Sequence, residues 1–124
     1  MSDRASQAPQ QWRPSSAALE PEQFEDAIAG SAVVIHFWAP WNPYDKPLDE
    51  NLQKLMPAYG KKFRFYSVNT DDTAFSEIVE AQHIAALPTL LCFVNSRPRG
   101  RFHGLETIEA LKDFLDQMSQ PVPR

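Results

Sequence analysis

Cysteine is nearly missing from this chain: among 124 residues Cys92 is the single thiol. No disulfide can close within the chain, and no cycle that needs two thiols of one molecule can run. Long apolar runs are missing as well. No stretch approaches the ~20 residues of a membrane-spanning helix, so a membrane partner is not expected. Positive charge is in deficit, with 12 Lys and Arg against 16 Asp and Glu for a net charge of −4, which argues against nucleic acid as a partner because such proteins carry a basic footprint. His36, His83 and His103 match no metal-ligand spacing and have no second cysteine to help them, so neither metal nor cofactor is expected. Residues 1–11 are polar and lack the apolar stretch of a secretory signal, which gives the expectation of a cytoplasmic protein.

What is present is the material of one soluble domain, with 43% apolar and 23% charged residues and enough chain to bury roughly two-thirds of its unfolded surface. The organising stretch is Val33-Val34-Ile35-His36-Phe37-Trp38-Ala39-Pro40-Trp41-Asn42-Pro43-Tyr44-Asp45-Lys46. Its first half, β-branched and aromatic with one polar interruption, predicts a buried central strand over about 32–38. Pro40 stops that strand. A loop rich in proline and aromatics follows, and Leu48, Leu52, Leu55, Met56 and Tyr59 then recur at helical spacing over about 45–59, with Pro57 predicted to distort or end the helix and Gly60 beyond it. A strand delivering a helix through such a loop is a common place for function in α/β proteins.

Around this unit the chain divides simply. Residues 1–18 lack periodicity and are expected to be a flexible leader, as is the tail 119–124 with Pro121 and Pro123; residues 19–118 form the domain. Pro21 opens a short helix over 19–30 with Phe24, Ala27 and Ile28 on one face. Phe63 to Val68 is a strand, Thr73 to His83 a helix, Leu90 to Val94 a buried strand, and Arg101 to His103 a short strand paired with it across a turn at 95–100. Thr107 caps a last helix carrying Ile108, Leu111, Phe114, Leu115 and Met118. This order predicts an α/β domain: a central mixed sheet of four to five strands with about four helices on its two faces.

The strand, loop and helix resemble the active-site unit of the thioredoxin family. Phe37-Trp38-Ala39-Pro40-Trp41 looks like the family's strand-end motif, Lys46 stands where a lysine commonly follows the second cysteine, Leu87-Pro88-Thr89 resembles its cis-proline turn, and Gly104 matches a groove-lining glycine. The resemblance covers about residues 19–118 and implies a thioredoxin fold. The chemistry departs from it: where the family carries Trp-Cys-Gly-Pro-Cys-Lys, this chain has Trp41-Asn42-Pro43-Tyr44-Asp45-Lys46. The family's buried aspartate falls on His36 and its lysine partner on Ser67. Neither an amide nor a carboxylate can form a mixed disulfide, so disulfide oxidoreductase activity is not expected.

The resemblance instead implies a groove lined by Trp41, Pro43, Tyr44, Leu87, Pro88 and Gly104, where a protein or extended peptide docks by strand-like backbone bonds. The expected function is therefore that of a redox-inactive chaperone, assembly factor or adaptor. The same residues could also pack together as a remnant of the loop. A second hypothesis is a non-disulfide enzyme: Asp45 and His36 would form a carboxylate–imidazole couple doing acid/base work, or Cys92 would form an intermolecular disulfide. Against it stand plainer roles, Asp45 as a helix cap, His36 as a core histidine and Cys92 as core filler. Arg97, Arg99 and Arg101, with His103, form a positive cluster that reads as a solvated sheet edge or as a site for an acidic partner.

Overall fold

A computed structural model describes residues 12–30 and 32–122. In chain order it contains β1 (Ala17–Ala18), α1 (Phe24–Ile28, led in by a 3-10 turn at Pro21–Gln23), β2 (Val33–Trp38), α2 (Asp45–Tyr59), β3 (Arg64–Asn69), α3 (Ser76–Ala81, led in by a 3-10 turn at Thr73–Phe75), β4 (Thr89–Val94), β5 (Arg97–His103) and α4 (Ile108–Met118). The five strands form one sheet in the order β1-β3-β2-β4-β5. β3 runs parallel to both β1 and β2, while β4 is antiparallel to β2 and to β5. Among the described residues the chain builds the expected mixed sheet with four helices.

β2 is central because every one of its residues is buried, and its period-two alternation sends side chains to two cores. Val33, Ile35 and Phe37 join Phe24, Ile28, Phe75, Leu91 and Phe93 on the face covered by α1 and α3. Val34 joins Leu48, Leu52, Leu90, Leu111 and Leu115 on the face covered by α2 and α4. Cys92 belongs to that second core, fully buried.

Two expectations change. Residues 12–18, read as leader, are packed: Ala17–Ala18 pair in parallel with Tyr66–Ser67, Trp12 meets Trp38 edge-on with ring centroids 5.5 Å apart, and the Ser15 amide donates to Asp49 at 3.0 Å. Backbone bonds and one aromatic ring hold this segment, so it needs no apolar periodicity. The earlier part of the expected leader, residues 1–11, lies outside the described residues. α2 runs from Asp45 to Tyr59 with Gly60 beyond it, as expected; Pro57 begins its final turn, where only one intrahelical bond is lost. β5 starts at Arg97 rather than Arg101, because the hairpin turns on two residues, Asn95 and Ser96, at φ 51° and 74°, the backbone pair that matches the twist of a two-residue hairpin.

The arginine cluster also changes its meaning. Arg99 donates to the carbonyls of Met118 (2.6 Å), the last residue of α4, and Gln120 (2.7 Å) just beyond it, and Arg101 to those of Gln82 (2.8 Å) and His83 (3.1 Å) after α3. Both guanidiniums satisfy carbonyls that a helix end leaves without partners. The tail is held by the same arginine at least as far as Pro121, 3.4 Å from it.

Candidate functional site: the loop between β2 and α2

Strand β2 ends at Trp38 and α2 begins at Asp45, so residues 39–44 form the loop at the top of the sheet. Pro40 and Pro43 fix φ on either side of Trp41 and Asn42. The Asn42 amide returns to the Ala39 carbonyl at 3.2 Å and the Asp45 amide faces the Asn42 carbonyl at 3.5 Å. The turn presents Trp41, 67% exposed, and Tyr44, 54% exposed, while Asn42 and Asp45 point inward at 9% and 0%. Pro43 and Lys46 are also exposed.

His36 and Asp45 do meet. The imidazole Nε2–H donates to Asp45 Oδ1 across 2.7 Å, and both side chains are completely buried. Asp45 Oδ2 accepts from the Ala39 amide at 3.2 Å and from the Asn42 side-chain amide at 2.9 Å. The carboxylate therefore turns back into the loop instead of capping its helix, whose N-cap position is Tyr44 without a side-chain bond. Satisfied by three donors, it tolerates burial that would otherwise be costly. The acid/base couple, the second hypothesis from sequence, has the contact, but neither side chain exposes surface to a substrate.

A second carboxylate lies one turn along the same face of α2. Asp49, 3% exposed, accepts the Ser15 amide and, at 3.1 Å, its hydroxyl. Burial pushes its pKa above the ordinary carboxylate value, while the Ser15 bonds pull the other way. Sequence reading passed over Asp49; its i,i+4 spacing from Asp45, on the face that carries Leu48 and Leu52, was the available signal.

Opposite the loop, the Leu87–Pro88 peptide is cis. Pro88 is buried, and its carbonyl accepts the Gly104 amide at 2.9 Å. Gly104 has φ +71° with open space where a Cβ would stand, so its backbone conformation, not crowding, calls for glycine. A cleft of about 410 Å³ runs beside Trp41 and is lined by Asn42, Thr70, Asp71, Val79, Ile84, Ala85, Ala86 and Leu87. Of the expected groove residues Trp41 and Leu87 line it. Pro43, Tyr44, Pro88 and Gly104 do not: Tyr44 stands exposed on the loop outside the cleft, and Pro88 is packed at the foot of β4. Two contributors were not foreseen. Asp71 accepts the Trp41 indole N–H at 2.8 Å and fixes the ring at the cleft edge. Leu105, 45% exposed next to Gly104, adds a third exposed apolar side chain near this end of the sheet.

Cys92 lies far from this chemistry in kind: burial raises its thiol to about 11, which leaves little of the thiolate that exchange requires. Among the described residues no cluster of three or more His, Cys, Asp or Glu could hold a metal ion, and no helix is long and apolar enough to cross a membrane.

A parallel β–α–β unit closed by an antiparallel hairpin, with a loop at the head of its long helix facing a proline turn, is the thioredoxin class of fold. The chain belongs to the thioredoxin family: the family model described as Thioredoxin matches residues 15–117. It is similar to thioredoxin domain-containing protein 5 homolog of Drosophila melanogaster, 32% identical over 83% of this chain and 26% of that protein. Human glutaredoxin-3 is 33% identical over 73% of this chain and 27% of its own length. The chloroplastic thioredoxin M-type of Brassica napus is 28% identical over 74% and 51% respectively. The chain thus spans between about a quarter and half of these relatives. In structure it resembles thioredoxin Mala s 13 of Malassezia sympodialis, with a TM-score of 0.76 and 29% identity over 92% of this chain and 99% of that one. Mitochondrial thioredoxin 3 of Saccharomyces cerevisiae gives a TM-score of 0.73 and 25% identity over 83% and 95%.

Proposed function

We propose that this chain is a redox-inactive thioredoxin-like module that binds a protein or an extended peptide at the Trp41 cleft, as a chaperone, assembly factor or adaptor acting in the cytoplasm. The observation that carries the reading is the exchange of roles at one turn. The two positions that would hold thiols carry Asn42 and Asp45, both drawn inward, while their neighbours Trp41 and Tyr44 stand in solvent. Exposed Trp and Tyr are costly to leave in water and serve well as interface anchors. The cleft wall at Ala85 and Ala86 is exposed chain that an extended peptide can lie against. The enzyme reading is disfavoured by the burial of His36, Asp45 and Cys92.

The test is selection from a displayed peptide library by the wild-type chain, followed by titration of a selected peptide against Trp41→Ala/Tyr44→Ala. Each anchor is expected to contribute on the order of 1–2 kcal/mol, so the double variant should bind at least about tenfold more weakly. Equal affinity for both would move the interface off the loop and overturn the reading.

A further inference from the structure

The loop is drawn around a single carboxylate. Asp45 gathers the Ala39 amide and the Asn42 side-chain amide on Oδ2, and His36 on Oδ1. Asn42 works in both directions: its Nδ2–H donates to Asp45 at 2.9 Å, and its Oδ1 accepts the Tyr44 amide at 3.4 Å. Side chains three residues apart are thereby joined across the turn, at the two positions where the family motif quoted above carries cysteine.

We propose that the Asn42–Asp45 hydrogen bond, backed by His36, takes the place of a disulfide: it holds the loop closed without redox chemistry, with Asn42 and Asp45 as positioning residues for Trp41 and Tyr44. What those two aromatics are positioned for rests on the peptide-binding reading; the closure stands on the hydrogen bonds alone. Three features favour it. The bond is sheltered from water, with Asn42 at 9% and Asp45 at 0% exposure, so solvent does not compete for it. Asparagine is the side chain that fits both bonds: aspartate at 42 would set two carboxylates together, and alanine would leave Asp45 Oδ2 and the Tyr44 amide each short of a partner. Trp41 is further tied from outside by Asp71 at 2.8 Å. A loop held from within and without presents its anchors preordered, which lowers the entropy lost on binding. It is also indifferent to thiol reductants, which open a disulfide-closed turn.

The experiment measures backbone order at residues 41, 42 and 44 by nitrogen-15 relaxation on the full chain. Wild type should give order parameters near the rigid value of about 0.85, unchanged by a phosphine reductant, and Asn42→Ala should drop below about 0.6. In Asn42→Cys/Asp45→Cys the hydrogen-bonded turn brings the two Cα atoms within ~7 Å, in reach of a disulfide. Oxidised with glutathione disulfide, that variant should be as ordered as wild type; reduced, as loose as Asn42→Ala. Rigid loops in Asn42→Ala, or equal order in the two redox forms of the cysteine pair, would overturn the proposal. Should Asn42→Ala fail to fold, Asn42→Asp, which keeps the side chain's size and its acceptor for the Tyr44 amide but loses the donor to Asp45, decides in its place. An ordered loop in a protein that selects no peptide would remove the binding reading and leave the closure standing.

Discussion

His36 Nε2 and Asp45 Oδ1 lie 2.7 Å apart in a site that exposes neither side chain. Removing one member of such a pair leaves the other buried without its partner, a cost of about 3–5 kcal/mol where this has been measured. His36→Leu is therefore expected to lower stability in urea unfolding by roughly 3 kcal/mol. In a double-mutant cycle with Asp45→Asn, the coupling should exceed about 1 kcal/mol. Additive losses would mean that the two residues are held by their surroundings and not by each other.

Cys92 should be silent. With its thiol raised to about 11, it stays protonated at neutral pH and is sealed in the α2–α4 core. Labelling by a disulfide reagent at pH 7 should wait on unfolding and speed up in step with added urea, and the chain should not reduce insulin above background. Rapid labelling of the native chain would return single-thiol chemistry to consideration.

Asp49 carries a pH signature. Burial holds its folded pKa above the ordinary carboxyl value of 3.8, so the folded state favours the protonated carboxyl. Its favourable contribution is complete below pH 3.8 and is lost as pH rises through the folded value; at neutral pH the buried charge is a burden. Asp49→Asn should be more stable than wild type at pH 7, with the difference shrinking as pH falls toward about 4. A penalty at pH 7 would show that the Ser15 bonds outweigh desolvation.

Removing residues 1–18 should damage the domain where removing 1–11 spares the contacts described above. The longer deletion strips Asp49 of its Ser15 donors, β3 of its partner β1, and Trp38 of Trp12. Leaving one buried acceptor unsatisfied costs about 1–3 kcal/mol by itself, so a loss of roughly 2 kcal/mol or more between the two truncations is expected in chemical denaturation. Equal midpoints would restore the segment to the status of a leader.

The same residues explain what could be read from sequence. β2 announced itself because its hydrophobicity is local and continuous, and α2 and α4 because their apolar side chains recur at 3.6 residues. Ala17–Ala18 gave no such signal: its place in the sheet is set by backbone bonds to Tyr66 and Ser67, almost fifty residues away in the chain. Arg99 and Arg101 looked like free charge because their partners are carbonyls, which composition does not reveal. At the site, the missing thiols and the identity of the anchors were visible. The inward turn of Asn42 and Asp45 was not, since it depends on where the loop places a carboxylate relative to β2. A lone leucine in a loop, Leu105, carries no sign of its neighbours.

The Asn95–Ser96 turn governs where the chain can be cut. Its amides donate to the carbonyls of Gly30 (3.0 Å) and Ile28 (2.8 Å), so the end of the first helix is completed by the tip of the last hairpin. Two segments more than sixty residues apart in the chain are latched there as a clasp joins the ends of a belt. A fragment ending at residue 94 has a helix that lacks its stop, and a split placed between β4 and β5 would have to bring back both halves before α1 could settle.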